Sequence, residues 1–207
     1  MKLPLTIVIP AFNEEKRLEK SLKRILECSL IEPEEIIVVD DGSRDKTYDI
    51  LLEIKERVPN LKILRNEKNE GKGSALKKGV LCARDDVPYL LITDADLSTP
   101  VEEVRRFFPF LKDYAILIGS RGLDRSFIKK RQPIYREKMG IIFNKIVQLF
   151  FLPGIYDTQC GFKLFKTSVA KEIFKEMKLK GFSYDVEVMV LAKIKGFRFK
   201  EVPVEWY

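Results

Sequence analysis

Short apolar runs alternate with amphipathic segments along the first half of the chain. Residues 6–9 are all β-branched, and in the segment that follows Leu18, Leu22 and Ile25 recur at helical spacing. The same alternation continues to residue 118. It predicts strands at 6–9, 36–39, 61–64, 89–92 and 115–118, with helices at 15–28, 45–57, 72–83 and 101–111.

The fold class follows from the composition of these strands. They are apolar at nearly every position, which is typical of strands buried on both faces in a parallel sheet covered by helices. Right-handed crossovers then build a doubly wound α/β sheet, whose ligands bind beyond the carboxyl ends of the strands. We therefore expect the functional residues at strand ends.

The rhythm changes after residue 119. A basic, polar stretch leads into a long apolar helix at 134–151, then a strand at 162–165, helices at 168–177 and 184–195, and a strand at 198–202. We find no repeat, low-complexity tract or linker in the sequence. We predict a single domain over 1–207, in which residues 120–207 extend the core begun by residues 1–119.

Composition removes several classes of function. The 207 residues include no histidine and three widely spaced cysteines, which excludes histidine chemistry and a zinc site and indicates reduced thiols. Without a signal-peptide pattern, or an apolar run of roughly 18–20 residues, we expect a cytoplasmic protein. The net charge of +7 favours anionic partners. Because it is spread along the chain, a solvated surface is the alternative. We expect no nucleic-acid partner.

Asp94 and Asp96 form the sharpest candidate site. They follow the strand predicted at 89–92, and two carboxylates at a strand end repel each other unless a cation lies between them. Mg²⁺ and Mn²⁺ bind carboxylate and phosphate oxygens together, so the pair predicts a metal site that neutralises a diphosphate. The alternative is a solvated acidic turn.

Two further strand ends carry polar residues. Asp41, in the Asp-Asp-Gly-Ser segment 40–43, offers oxygens to a base or ribose, although such a turn also caps helices. After the first strand, Ala11 lets a ring approach the backbone, while Asn13 and Glu14 are either substrate ligands or the start of a helix.

The glycine-rich segment 69–74 opens the third helix. Its glycines, including Gly73, free the backbone, and Lys72 can reach a phosphate at the helix N-terminus. The spacing is not that of a P-loop, and no dinucleotide-binding glycine pattern follows a strand.

Together these segments resemble the family-2 glycosyltransferases, which have a GT-A type fold. The resemblance rests on residues 9–14, 39–43, 69–73 and 94–100 and covers essentially the whole chain. Segments 157–163 (Asp-Thr-Gln-Cys-Gly-Phe-Lys) and 182–187 (Phe-Ser-Tyr-Asp-Val-Glu) resemble the dolichyl-phosphate glucose branch of the polyprenyl-phosphate sugar synthases. Ser98 departs from the mannose branch, which has glutamine there, and leaves a further metal ligand in doubt.

The resemblance implies roles for individual residues. Asp96 would be the principal metal ligand, with Asp94 and Ala95 near the ribose and diphosphate. Arg121 would lie near the donor or acceptor phosphate, and Gln159 and Lys163 would lie on the acceptor side, where Lys163 would contact a substrate phosphate. Residues 1–119 would thus be the nucleotide-sugar-binding half and residues 120–207 the acceptor-side half. The nucleoside site would be lined by Pro10, Ala11, Glu14 and Asp41.

The implied reaction moves a sugar from a nucleotide donor, UDP-glucose in preference to GDP-mannose, to a polyprenyl phosphate with inversion. An ionised phosphate needs no general base, whereas a saccharide hydroxyl would need one, for which Asp185 or Glu187 is the candidate. A soluble transferase with a saccharide acceptor is thus the alternative. A non-catalytic nucleotide-binding module and a nucleotidyltransferase are further options.

A lipid acceptor implies contact with a membrane surface, at its cytoplasmic face. The apolar helix predicted at 134–151 suits an interfacial position, although a core helix or a dimer contact fits equally. The basic residues in and before it are Lys129, Lys130, Arg131, Arg136, Lys138 and Lys145.

Overall fold

A mainly parallel sheet forms the centre of the molecule. The computed structural model describes residues 2–129 and 134–207, with only the backbone of residues 125 and 134–138. Within these residues seven strands form one sheet. The strands are β1 (Leu3–Ala11), β2 (Ile31–Asp40), β3 (Leu61–Arg65), β4 (Tyr89–Ile92), β5 (Ile116–Ser120), β6 (Lys163–Lys166) and β7 (Phe199–Pro203).

Helices connect the strands and cover the sheet. Alpha helices and 3₁₀ helices both occur, and all but Arg125–Phe127 lie where the sequence pattern predicts helical segments. The α-helices are α1 (Leu18–Glu27), α2 (Thr47–Arg57), α3 (Lys72–Cys82), α4 (Ile134–Phe150), α5 (Thr167–Glu176) and α6 (Tyr184–Ile194). The 3₁₀ helices are Val101–Phe110 and Arg125–Phe127.

The strand order places both halves of the chain in one sheet. The order is β3-β2-β1-β4-β6-β5-β7, and β3, β2, β1 and β4 are parallel neighbours. Strand β6 lies antiparallel between β4 and β5, with Lys163 opposite both Ile92 and Ile118. Its first residue therefore lies at the edge where β4 and β5 end. The predicted α/β class is confirmed.

The core has two layers, one on each face of the sheet. Successive residues of a strand point to opposite faces, so Ile7 and Ile9 of β1 join one layer and Val8 the other. The first layer also contains the apolar faces of α1, α2 and the helix Val101–Phe110. The second contains those of α3, α5 and α6. This double cover explains why residues 6–9 of β1 and 36–39 of β2 read as nearly continuous apolar runs.

One predicted α-helix takes a different form. Residues Val101–Phe110 form a 3₁₀ helix instead of the α-helix predicted at 101–111. Pro109 lies inside it and cannot donate the backbone hydrogen bond that an α-helix needs there. Phe107 is nevertheless fully buried against Phe162, so the predicted apolar face is retained.

The long helix α4 leaves much of its apolar surface exposed. Val147 is buried, whereas Leu149 and Phe150 are 77% and 69% exposed. Further exposed apolar side chains on this segment are Met139, Ile142, Ile146 and Phe151. The core-helix alternative therefore does not hold for this face. No helix in the described ranges combines the length and apolar character that a membrane crossing needs.

Part of the predicted basic flank of α4 falls outside what the structure covers. Lys130 and Arg131 lie outside the described residues, and the side chains of Arg136 and Lys138 do too. Lys145 is exposed, and Lys129 lies 3.7 Å from Glu205.

Two helical glycines allow a controlled test of packing. A Cβ on Gly79 of α3 would lie 2.5 Å from Val8 Cγ1 and 3.0 Å from Val39 Cγ2, whereas one on Gly140 of α4 would meet nothing within 4 Å. Gly79→Ala should therefore destabilise the protein by about 1–3 kcal/mol, because stiff valine side chains must shift. Gly140→Ala should be neutral or stabilise by up to about 1 kcal/mol through helix propensity.

Urea unfolding of both variants measures the two effects. Equal free energies of unfolding for the two alanine variants would show that the α3–sheet contact is looser than described.

Candidate active site

Polar side chains from both halves of the chain meet in one cleft at the carboxyl edge of the sheet. The cleft has a volume of about 190 Å³ and lies where β4 and β5 end. Four of the residues that line it were predicted from the sequence as site residues, and Ser98 and Trp206 also line it. The four are Asp94, Asp96, Arg121 and Gln159.

The turn after β4 presents its two carboxylates to this cleft. The Ser98 N–H donates to Asp96 Oδ1 at 2.9 Å, which fixes that side chain. Leu97 has φ 47°, a left-handed backbone conformation that is costly for a residue with a Cβ. Its side chain is buried in this conformation. Gly161 lies against the turn so closely that a Cβ there would be 2.1 Å from Asp94 Oδ2.

A lysine from the start of α3 pairs with the first of these carboxylates. Lys72 Nζ lies 2.6 Å from Asp94 Oδ1, and the Lys72 side chain is only 18% exposed. Burial alone would lower the pKa of Lys72, but the charges of Asp94 and Asp185 outweigh it and raise the pKa above its usual value. Lys72 is therefore a fixed positive charge beside the cleft.

The second carboxylate has a weaker cationic neighbour. Arg17 NH1 lies 3.7 Å from Asp96 Oδ2, while Arg17 Nε is 2.8 Å from Glu14 Oε2. Burial raises the pKa of Glu14, opposed by Arg17 and assisted by the charges of Asp96 and Asp94. Glu14 thus contributes to the acidic character of the site.

The donor atoms suit a hard divalent cation. Asp94 and Asp96 supply carboxylate oxygens to the cleft, which is the chemistry that Mg²⁺ and Mn²⁺ prefer. In the described part of the chain, no three acidic, cysteine or histidine side chains form a metal site by themselves. The two aspartates therefore fit a metal whose remaining ligands are substrate oxygens and water.

Asp41 uses its carboxylate to hold the glycine-rich loop. It is buried, and it accepts hydrogen bonds from Asn66 Nδ2 at 2.8 Å and from the N–H groups of Glu70 and Gly71 at 2.9 Å each. From its position in the sequence, these oxygens are predicted to bind a nucleoside. In the structure these oxygens bind the chain itself, so Asp41 shapes the loop before Lys72.

The other predicted nucleoside residues join the ends of β1 and β2. Asn13 has φ 56°, its N–H donates to Ser43 Oγ, and its Oδ1 accepts from the Arg44 N–H. Ala11 is buried and its carbonyl accepts from the Asp41 N–H at 2.8 Å. Pro10 lies next to it at the end of β1 and Ala95 is buried in the turn after β4.

Gly73 has a packing role in α3. A Cβ there would lie 2.5 Å from the Leu179 carbonyl and 2.8 Å from Tyr184 Cβ. The Ser74 N–H already donates to the Lys180 carbonyl at 3.1 Å. This end of α3 therefore packs against the 179–184 segment, and Lys72 offers its side chain, not an open helix terminus, to the cleft.

Arg121 is held rigidly on the opposite wall. Its Nε and NH2 bind Asp157 Oδ2 and Oδ1 at 2.7 and 2.9 Å, and its backbone N–H also donates to Asp157. Burial would raise the pKa of Asp157, but the hydrogen bonds and charge of Arg121 hold it below its usual range. Its guanidinium carbon is 5.7 Å from the ring centroid of Trp206.

Glu201 anchors this pair from β7. Its two carboxylate oxygens accept from the Tyr156 and Asp157 N–H groups at 2.7 Å each. Neither Asp157 nor Glu201 was a predicted site residue. Asp157 lies in the 157–163 motif and could have been found there, whereas Glu201 is placed only by the pairing of β7 with β5. Gly161 also lies in the 157–163 motif, whereas Trp206 follows β7 and reaches the site through the same pairing as Glu201.

Lys163 and Asp185 bind each other. Lys163 Nζ contacts the Asp185 carboxylate and, at 2.5 Å, the Cys160 carbonyl, and both side chains are almost fully buried. Burial raises the pKa of Asp185, against the charges of Lys163 and Lys72. The separate roles predicted for them, phosphate ligand and base, correspond here to one ion pair behind the cleft. Glu187 likewise binds the chain, through the N–H groups of Lys178 and Leu179.

A comparison with known families agrees with this architecture. The model of the family described as glycosyl transferase family 2 matches residues 6–174. The chain belongs to glycosyl transferase family 2. The match runs from within β1 to within α5 and includes Asp94, Asp96, Arg121 and Gln159 of the cleft.

Curated relatives point to one branch of family 2. A dolichyl-phosphate β-glucosyltransferase of Trichomonas vaginalis is 36% identical over 98% of this chain. Other relatives between 31% and 34% identical have the same functional name. The resemblance to the dolichyl-phosphate glucose branch is thus confirmed. The chain spans 65% of the length of the Trichomonas protein.

Solved structures that this chain resembles confirm the GT-A type fold. A mannosyltransferase from Pyrobaculum calidifontis, solved with GDP-Man and Mn²⁺, has a TM-score of 0.63 at 19% identity and covers 98% of this chain and 57% of that one. S. aureus TarS 1–349 with UDP has a TM-score of 0.62 at 19% identity, covering 97% and 57%. At such identities the likeness concerns the fold alone.

The Arg121–Asp157 pair predicts a pH-dependent stability difference. Asp157→Asn should destabilise the protein at neutral pH by roughly 3 kcal/mol, because it leaves a mostly buried guanidinium without its charge partner. The native pKa of Asp157 is depressed, so the parent gains this stability above the unfolded pKa of about 4 and loses it as pH falls. The difference in the free energy of unfolding between parent and variant should therefore become smaller below about pH 4.

Urea unfolding across this pH range tests the expectation. The control is Asp86→Asn, which breaks the exposed pair with Arg84 and should leave the free energy of unfolding nearly unchanged, because solvent screens such a pair. If the difference in the free energy of unfolding stayed constant below about pH 4, it would contradict a depressed pKa for Asp157.

Proposed function

We propose that the chain is the catalytic domain of an inverting glycosyltransferase that moves glucose from UDP-glucose to a polyprenyl phosphate. The observation that carries the proposal is the cleft in which Asp94 and Asp96 face Arg121 and Gln159. It supplies oxygen ligands for a metal–diphosphate and a fixed cation on the other wall, in a chain of family 2.

The donor assignment draws on the site and on the relatives. The relatives' names specify glucosyl transfer, and TarS was solved with UDP. The ends of β1 and β2 would enclose the nucleoside, with Pro10, Ala11 and Glu14 on one side and the loop held by Asp41 on the other. Lys72 would meet the diphosphate, because its charge lies beside Asp94.

The acceptor assignment follows from charge. A phosphate monoester is mostly ionised at neutral pH, so it needs cations and no general base. Arg121, fixed by Asp157, is the cation that lines the cleft, and Gln159 lies beside it. The relatives' names specify dolichyl phosphate as their acceptor.

The reaction is a single in-line displacement. An acceptor phosphate oxygen attacks the anomeric carbon, the bond from that carbon to the diphosphate oxygen breaks, and its electron pair leaves on UDP. One displacement inverts the configuration. Arg121 and Lys72 hold the two anionic substrates together. Their positive charges offset the repulsion between the donor diphosphate and the acceptor phosphate.

A divalent metal, Mg²⁺ or Mn²⁺, fits the proposed site. Asp96 and Asp94 would hold it, and when bound it neutralises the charge that grows on the leaving diphosphate. The Pyrobaculum calidifontis mannosyltransferase was solved with Mn²⁺. The requirement for a metal is thus part of the proposal.

The exposed face of α4 suits a peripheral position on a membrane. Its apolar side chains, including Leu149 and Phe150, would lie at the headgroup boundary, and the net charge of +7 favours anionic lipids. A polyprenyl phosphate is presented at such a surface, and the predicted location is the cytoplasmic face.

Metal dependence provides the first test of the proposed transfer. With labelled sugar nucleotides and polyprenyl phosphate, UDP-glucose should be used in preference to GDP-mannose, and EDTA should stop the reaction. Asp96→Asn should reduce the rate by at least about 10²-fold without unfolding the protein, because a metal ligand is lost. Full turnover in EDTA would refute the metal site, and a preference for GDP-mannose would refute the donor.

A charge placed at Gln159 distinguishes the acceptors. Gln159→Glu adds a negative charge of nearly the same shape, so transfer to polyprenyl phosphate should fall about tenfold or more through repulsion. Gln159→Leu, the uncharged control, should have a smaller effect. Transfer to a saccharide hydroxyl should be similar in both variants. If the protein uses a saccharide and ignores polyprenyl phosphate, the alternative acceptor is the correct one.

A further inference from the structure

Two positively and two negatively charged side chains are grouped behind and beside the cleft. Lys72 pairs with Asp94 at 2.6 Å, and Lys163 pairs with the buried Asp185. Both lysine Nζ atoms lie 5.9 Å from the ring centroid of Tyr184. The group is neutral as it stands, so removing or adding one charge leaves an imbalance in a partly buried environment.

Lys72 differs from Lys163 in its surroundings. Lys163 is 1% exposed and its partner Asp185 is 4% exposed, so this pair is sealed off. Lys72 is 18% exposed and its partner Asp94 is 37% exposed at the cleft. Of the two lysines, Lys72 is therefore the one that can exchange its partner for a ligand.

We propose that Lys72 is an internal counterion of the donor site, which occupies Asp94 until a nucleoside diphosphate replaces that carboxylate as its partner. The inference rests on the proposed function, because it takes a metal–diphosphate as the ligand. It goes further because it makes one lysine responsible for the order in which the metal and the diphosphate bind.

The consequence is a positive coupling between metal and diphosphate. A divalent cation that binds alone at Asp94 and Asp96 meets the positive charge of Lys72 at close range. A diphosphate gives Lys72 a new partner, which frees Asp94 for the cation. Each ligand must then tighten the other by the same factor, since such coupling is reciprocal.

Arg17 cannot supply the same effect at the second carboxylate. Its NH1 is 3.7 Å from Asp96 Oδ2, and its side chain is 55% exposed and already bound to Glu14. Water and salt screen a pair of this kind, and its contribution is small. The coupling is therefore assigned to Lys72.

The experiment is a titration with Mn²⁺, followed by the electron paramagnetic resonance of the free ion, with and without UDP. In the parent, Mn²⁺ alone should bind weakly and UDP should tighten it. In Lys72→Met, Mn²⁺ alone should bind about tenfold more tightly than in the parent, because one unit of positive charge is gone. UDP should bind more weakly, and the coupling factor should approach one.

Two further variants separate charge from structure. Lys68→Met removes the same charge from an exposed position four residues earlier and should leave Mn²⁺ binding as in the parent. Lys72→Gln, a second neutral substitution, should repeat the effect of Lys72→Met if that variant fails to fold. If neither Lys72→Met nor Lys72→Gln binds Mn²⁺ alone more tightly than the parent does, the proposal is overturned.

The outcome also separates this inference from the proposed function. If the parent shows no Mn²⁺ binding even with UDP, the proposed donor site fails. If the parent binds both ligands without coupling, the donor site stands and the role of Lys72 is refuted.

Discussion

The balance of buried charge at the carboxyl edge of the sheet is the constraint on which the rest of this structure depends. Parallel strands end together, so the polar residues that follow them are forced into one small volume. Carboxylates there would repel one another and lose hydration, at a cost of several kcal/mol per uncompensated ion. The chain meets this cost with three pairs, Lys72–Asp94, Lys163–Asp185 and Arg121–Asp157.

These pairs differ in what they leave available. Lys163–Asp185 is sealed and fixes β6 to α6, while Arg121–Asp157 is fixed by Glu201 yet keeps its guanidinium in the cleft. Lys72–Asp94 is the pair that a metal and a diphosphate would have to rearrange. A rigid wall opposite a rearrangeable one would suit the proposed transfer, which requires the site to orient an acceptor while it exchanges nucleotides.

The antiparallel strand β6 makes this arrangement possible. All-parallel order would send the 157–163 motif to the opposite edge, because a parallel strand starts where the others start. Reversed between β4 and β5, β6 begins at the edge where they end and delivers Gly161 and Lys163 to the site. The exposed face of α4, which lies in residues 120–207, is the apolar surface that the proposed lipid-borne acceptor would meet.

The sequence by itself determined the α/β class, the elements of both halves and the family, because apolar periodicity and ordered motifs are local properties of the chain. It also determined that Asp94 and Asp96 follow a strand end. Only the tertiary structure decided which charges pair, since Lys72–Asp94 and Lys163–Asp185 join residues 22 apart in sequence through the sheet order. Likewise, Glu201 and Trp206 reach the site because β7 pairs with β5, a contact that no local pattern encodes.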